Sequence, residues 1–420
     1  MGKNKDKGKA GKRSIIMDKK FKHHSIIDKI YKRLNLHIAF EKVKANKGAG
    51  GVDRETIEEF EQNSLERIEE IHRLLYEDRY EFKPVRKVCI PKANGGKRWL
   101  GIPTVRDRVV QQAILNRIER IFEPRFKDCS YGFRPNRSPL RAVKKVEEYL
   151  EQGYQWIVEV DIENFFDTIN HEKLIDQVAE EIADGRVLRL IRKILKSGTM
   201  EEMKVKYLTT GTPQGGVISP LLANIYLHPY DEKMTKEGFQ VIRYADDILI
   251  MAKTQAEAQG ALQRTKEILE KELELRLNSE KTSLRHKRKA FEFLGYLFGC
   301  GYTDYKIPRK RAIDKFKNKI RRITRRQQPK KIEEIIKELN PVIRGWRNYF
   351  IYGNCKKIFW SLDCWIENRL RAFKVKTWGY RTHLKMPHEL FEKLGLLTLN
   401  QTFYPNNYPN NNILLPAKGQ

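Results

Sequence analysis

Val241-Ile242-Arg243-Tyr244-Ala245-Asp246-Asp247-Ile248-Leu249-Ile250 is the stretch whose reading decides the fold. The apolar residues on either side predict two short strands, and Ala-Asp-Asp between them predicts the tight turn of a β-hairpin. Two carboxylates at a hairpin tip repel, and each raises the pKa of the other unless a cation lies beside them. One reading is a hard-cation site of the kind that takes Mg²⁺, with carboxylate, phosphate and water oxygens as ligands. The other is a solvated acidic turn. A bare Asp-Asp does not choose between them, so the surrounding chain must.

Upstream, Trp156-Ile157-Val158-Glu159-Val160 predicts a largely buried strand with Asp161 at its end, where the charge needs a salt bridge or a metal. Asp161-Ile162-Glu163-Asn164-Phe165-Phe166-Asp167 then turns into a helix. Gly211-Thr212-Pro213-Gln214-Gly215-Gly216-Val217-Ile218-Ser219-Pro220 forbids regular structure, and Gln214 can set an amide beside a sugar or base. Pro84 to Pro103 predicts a hairpin turning at Asn94-Gly95-Gly96. Its Lys92, Lys97 and Arg98 either close on a triphosphate or form a plain basic surface. Ser130-Tyr131-Gly132-Phe133-Arg134-Pro135-Asn136-Arg137 combines aromatic and Arg side chains, which suits stacking and phosphate contact. The glycine-rich 46–53 loop lies against nucleic acid or is an interhelical turn, and Asp53 suits the start of the next helix. Helices are expected over 138–152, 172–206, 255–274 and 357–376. Leu277 to Thr282 reads as a loop, and Phe291 to Leu297 as a strand with a break at Gly295.

The chain has 420 residues, enough for two or three units. Its 83 Lys and Arg against 54 Asp and Glu give a formal net charge of +29, the footprint of a polyanion binder. No apolar run approaches the length of a membrane span. The five cysteines are scattered, which suggests a reducing, cytoplasmic setting and no structural zinc. Residues 1–24 read as a basic disordered arm. Residues 301–350 carry 16 Lys or Arg against 5 Asp or Glu and an apolar stripe that includes Trp346; they read as a separate basic helical domain.

Taken together, these pieces resemble the reverse transcriptases encoded by bacterial group II introns. The resemblance rests on Tyr244-Ala245-Asp246-Asp247, Asp161-Ile162 with Phe165-Phe166, Pro213-Gln214-Gly215, Gly101-Ile102-Pro103-Thr104 with Gln111-Gln112-Ala113, Tyr131 to Pro135, and Phe293-Leu294-Gly295-Tyr296, in the family's order and spacing. Arg344-Gly345-Trp346-Arg347-Asn348-Tyr349-Phe350 looks like the family's thumb, or maturase, segment.

The resemblance implies an α+β fold, a right-hand polymerase of fingers, palm and α-helical thumb. It places the N-terminal extension and fingers at 25–150, the palm at 151–300, the thumb or maturase domain at 301–376 and a C-terminal segment at 377–420. It implies catalytic Asp161, Asp246 and Asp247, and two Mg²⁺ ions, for which Mn²⁺ can substitute, held by Asp161, Asp246 and the backbone of Ile162. Lys92, Arg98, Phe166 and Gln214 would bind the dNTP, with Phe166 excluding a ribose 2′-hydroxyl. Tyr244, Arg134, Lys281, Gly295 and Trp346 would line the primer and template, and Lys281 either protonates the leaving pyrophosphate or stays a surface lysine. Implied partners are intron RNA or an RNA template, a DNA or RNA primer, dNTPs and a DNA target, with no membrane, for a monomer or dimer in the bacterial cytoplasm. Many relatives continue into a Cys- and His-containing endonuclease that this sequence lacks, so DNA cleavage is not expected. A domesticated relative in DNA repair or phage defence, or a splicing-only maturase, would share most of these features.

Overall fold

A computed structural model describes residues 22–91, 97–201, 204–206, 210–212, 215–301, 303–375 and 386–400. The fold is α+β, and the chain divides into two compact units, Met1–Arg125 with Phe166–Tyr226 and Phe126–Phe165 with Leu227–Gln420. In chain order the strands are β1 (Val85–Pro91), β2 (Lys97–Ile102), β3 (Trp156–Asp161), β4 (Thr199–Glu201), β5 (Lys204–Lys206), β6 (Gln240–Tyr244), β7 (Asp247–Ala252), β8 (Ser283–His286), β9 (Phe291–Phe293), β10 (Tyr296–Cys300) and β11 (Asp304–Pro308).

The first unit packs helices around Val105–Phe122 and carries a sheet of order β2-β1-β4-β5. Thr104 caps that helix by accepting from the Asp107 amide, and the Asp107 carboxylate in turn accepts from the buried Tyr80 hydroxyl at 2.8 Å. Asp53 does not start the next helix. Thr56 and Glu59 form a capping box before Ile57–Gln62, a reciprocal pair that satisfies two free amides where one carboxylate further upstream would satisfy neither. The helix expected over 172–206 is two, His171–Ala179 and Gly185–Lys196, the second capped by Asp184; it ends before Gly198, which takes a left-handed φ of 74°, and the chain continues as β4 and its antiparallel partner β5. The basic arm is shorter than its composition suggests. His23 already pairs with Ile182, donating its amide to the Glu181 carbonyl, while residues 1–21 lie outside the described residues.

In the second unit β6-β7-β3-β8 form one antiparallel sheet and β11-β10-β9 another. Phe291 to Leu297 is a hairpin and not one broken strand. Leu294 and Gly295 both adopt positive φ (46° and 87°), so they make a two-residue turn between β9 and β10. The basic segment after residue 301 is not a separate core. Its first residues add β11 to β10, and one buried cluster runs from Ile157 and Leu249 through Phe291 and Phe298 to Phe316, Ile335 and Phe359. Its helices are Lys310–Ile323, Ile332–Phe350 and Lys356–Val375. The stripe of Phe316 and Ile320 faces inward while Lys315, Lys319, Arg322 and Arg326 stay exposed, as an amphipathic period requires.

Candidate active site

Tyr244 pairs with Asp247 across the β6–β7 hairpin, leaving Ala245 and Asp246 as the turn. Asp247 is thus the first residue of β7 and not a turn residue. Two residues close the turn because Ala245 takes the left-handed φ of 58° that such a connection demands. β3 lies antiparallel to β7 with Asp161 opposite Asp247, and directly opposed residues project from the same face of a sheet. Residues 85 apart in the chain (246 minus 161) are thereby brought to one sheet end.

A third element closes on this end. Ile162 bridges Leu277, the Glu163 amide donates to the Arg276 carbonyl at 2.8 Å, and the Asn278 amide donates to the Asp161 carbonyl at 2.9 Å. The Asn278 side chain accepts from the amides of Glu280 and Lys281, an Asx turn that aims the next side chain back. Lys281 Nζ then lies 3.1 Å from Asp161 Oδ2. The lysine is two-thirds exposed, so the pair is screened and contributes little to stability.

Solvent reaches Asp247, yet protein crowds its carboxyl from the other sides. That loss of hydration, followed by the Asp246 and Asp161 charges, pushes it up to about 6 against the opposing pull of Arg309 and Lys281. Tyr244 beside it is raised by burial and then by Asp247. Arg309 was not signalled by any motif. It sits at the N-cap of Lys310–Ile323, where its charge reaches Asp247 and its guanidinium pairs with Glu292 at 3.0 Å.

Other expected contacts differ. Arg134 is buried, its guanidinium donating to the carbonyls of Lys127, Ser130 and Phe126 and lying over the Phe126 ring, so it braces its own loop and is not offered to phosphate. The aromatic side chain this loop exposes is Phe133, whose ring lies 6.3 Å from that of Tyr244. Trp346 is half-buried; it stacks on Phe316 at 4.6 Å and meets Phe350 at 4.7 Å with the rings tilted, so it packs against the helical core. Gly295 serves the β9–β10 turn; a Cβ there would meet the rings of Phe350 and Tyr349.

In the first unit Phe166 is half-buried while Phe165, in the other unit, is buried. The Phe166 carbonyl accepts from the Thr212 amide at 2.6 Å, and His171 Nε2 meets the Gly211 carbonyl at 2.6 Å, so the segment leading to Gln214 is tied to the Phe166 turn. A Cβ at Gly215 would come within 2.6 Å of the Gly101 carbonyl, which is why glycine follows there. Lys92, Gln214 and the side chains of Lys97 and Arg98 lie outside the described residues.

Residues 90–298 match the reverse transcriptase (RNA-dependent DNA polymerase) family, and residues 313–387 match the group II intron, maturase-specific domain. Protein YkfC of Escherichia coli is 36% identical over 255 residues, 52% of this chain and 67% of its own length. The group II intron-encoded protein LtrA of Lactococcus lactis is 32% identical over 345 residues, 64% of this chain and 57% of its own. The chain belongs to the group II intron reverse transcriptases. Among solved structures, a telomerase from Candida albicans is similar at a TM-score of 0.45 and 12% identity, covering 77% of this chain and 67% of that one. This reverse transcriptase therefore spans two thirds of YkfC and less of LtrA. Its family works with divalent metal ions, nucleotides and RNA. No helix among the described residues is long and apolar enough to cross a membrane.

Proposed function

We propose that the chain is an RNA-directed DNA polymerase that extends a DNA or RNA primer on an RNA template with Mg²⁺, and that its basic helices bind its intron RNA and assist splicing. The observation that carries this reading is Asp161 opposite Asp247, with Asp246 at the adjoining turn and the Lys281 ammonium beside Asp161. The all-oxygen donor set suits a hard cation. Among the described residues no three acidic, His or Cys side chains already converge on a metal-sized site. The proposed ligand set is two carboxylates and one backbone carbonyl, with phosphate and water oxygens completing it.

Asp161, Asp246 and the Ile162 carbonyl would hold the ions, with Asp247 close to them and to the primer end. When bound, the ions make the primer 3′-hydroxyl more acidic and offset charge on the triphosphate and the leaving pyrophosphate. Lys281 would give a proton or a charge to the pyrophosphate. Lys92 and Arg98 would grip the triphosphate, Gln214 would lie beside the sugar, and Phe166 would block a 2′-hydroxyl. Tyr244 and Gly295 would flank the primer. In this reading fingers, palm and thumb occupy 25–150, 151–300 and 301–376.

Primer extension on an RNA template tests it. Product should require Mg²⁺ and fall to background in Asp246→Asn with an unchanged melting temperature. Full extension by that variant would remove the metal assignment. Sequencing the RNA that copurifies with the chain tests the intron partner directly.

A further inference from the structure

Resting on the assignment of Asp246 above, we propose that Asp231, Arg243, Ser130 and Gly132 are positioning residues, a buried clamp that fixes the left-handed turn at Ala245 and so aims the Asp246 carboxylate. All of them belong to the second unit.

Arg243 has 0% exposure on β6, the outer strand of its sheet, at a buried position where an apolar residue would serve packing better. Its guanidinium is bound on every side. Nε donates to Asp231 Oδ1 at 2.8 Å and Nη2 to Asp231 Oδ2 at 2.5 Å, a bidentate pair with a carboxylate that is itself fully buried on helix Ser219–Lys236. Nη2 also donates to Ser130 Oγ at 2.8 Å. The remaining nitrogen, Nη1, donates to the Ala245 carbonyl at 2.9 Å.

That carbonyl belongs to the peptide joining Ala245 to Asp246. Holding it fixes the plane of the peptide and with it the direction in which the Asp246 side chain leaves the backbone. The bond is needed because Ala245 sits at a positive φ that a side-chain-bearing residue resists.

The opposite side of the turn is held by backbone. A Cβ on Gly132 would run into the Ala245 nitrogen, far inside van der Waals contact, and within 3.0 Å of the Tyr244 carbonyl carbon. Segment 129–131 is stitched to β6, since the Arg243 amide donates to the Cys129 carbonyl and the Tyr131 amide to the Arg243 carbonyl, each at 2.8 Å. Arg134 in turn ties up the carbonyls of Phe126, Lys127 and Ser130. The Tyr131-Gly132-Phe133-Arg134 motif therefore buttresses the acidic turn from behind while presenting Phe133 in front.

The test compares Gly132→Ala and Ser130→Ala with the unaltered chain, each checked for folding by its melting curve. The readings are kcat and KM for dNTP in primer extension, Kd for primer–template, and binding of Mn²⁺ alone followed by electron paramagnetic resonance. Misaiming Asp246 should lower kcat by about tenfold or more in Gly132→Ala, with KM and Kd for primer–template unchanged. Mn²⁺ should bind about tenfold more weakly, as expected when a group behind a ligand is lost. Ser130→Ala should move the same two readings in the same direction by less, and it decides the matter if Gly132→Ala does not fold. Unaltered kcat and Mn²⁺ binding in a folded variant overturn the proposal, as does a loss confined to primer–template affinity, which would make Gly132 a nucleic-acid contact. If the unaltered chain extends no primer, the polymerase reading falls, while the Mn²⁺ comparison still reports on the clamp.

Discussion

Lys281 and Asp161 illustrate how a side chain gains meaning from its support. A lysine at the surface of a loop is ordinarily a solvated charge, but the Asn278 turn and the backbone bonds to residues 161–163 deliver this one to the carboxylate. Phe166 is the residue whose proposed role is most easily separated from folding, since it is half-buried while its neighbour Phe165 fills the core. Phe166→Ala should incorporate ribonucleotides during primer extension with little change in stability; unaltered discrimination would move the gate elsewhere. Trp346 should behave in the opposite way. It is half-buried between Phe316 and Phe350, so Trp346→Ala should lower stability by about 2 kcal/mol in denaturant unfolding, whatever it does to RNA affinity. A variant of wild-type stability with weakened RNA binding would contradict that packing role.

Among the elements, helix Lys356–Val375 holds a small pH-sensitive contact. Asp363 accepts the amides of Leu399 at 2.8 Å and Asn400 at 3.1 Å, which docks the segment near residue 400 on the helix. Loss of hydration, helped by the Glu367 charge, pushes its carboxyl up to about 6, although the two amides and His388 pull it down. A carboxyl raised in the folded state holds its proton there more tightly than in the unfolded chain. Its contribution to stability is thus fully present below about pH 4 and is lost as pH rises through about 6. Asp363→Asn, which cannot ionise, should therefore gain melting temperature relative to the unaltered chain between pH 4 and 6 and keep a constant difference above. A difference that does not change across that window would contradict the assignment. The turn at Leu294-Gly295 shows the same dependence of an element on its termini. Two consecutive positive φ values fold back what would otherwise be one strand, and β11 then finds β10 as its partner.

At the scale of the molecule, charge is the dominant property. A formal +29, with exposed Lys315, Lys319 and Arg322 on helix Lys310–Ile323 and Arg326 just beyond it, calls for a polyanion, and binding should release its counterions. Affinity for a primer–template should fall about 10³-fold between about 50 and 200 mM salt if some six phosphates are engaged. A flat dependence in filter binding would argue against phosphate recognition by this surface. The buried cluster that runs from the β3–β7 sheet to Phe316 and Phe359 has a further consequence. Damage to the basic helices is expected to unsettle the sheet that carries the acidic turn, because the two do not have independent cores.

The sequence alone determined the hairpin around Asp246, the strand ending in Asp161, the basic helices and the polyanion partner. Each is a local signal, whether an alternation of apolar residues, a turn residue or a count of charges. The family resemblance came from the order of short motifs and needed no contact between them. Tertiary structure alone decided which side chains the frame claims and which it leaves accessible. Arg134 and Trp346 carry side chains suited to nucleic acid, yet Arg134 is claimed by the carbonyls of its own folded loop and Trp346 by the Phe316 ring of another helix. The approach of Lys281 to Asp161 depends on a loop 120 residues away, and the grip of Arg243 on the Ala245 carbonyl depends on Asp231 and Ser130. Periodicity says which way a residue faces, but the partner that waits there is fixed only when distant segments pack together.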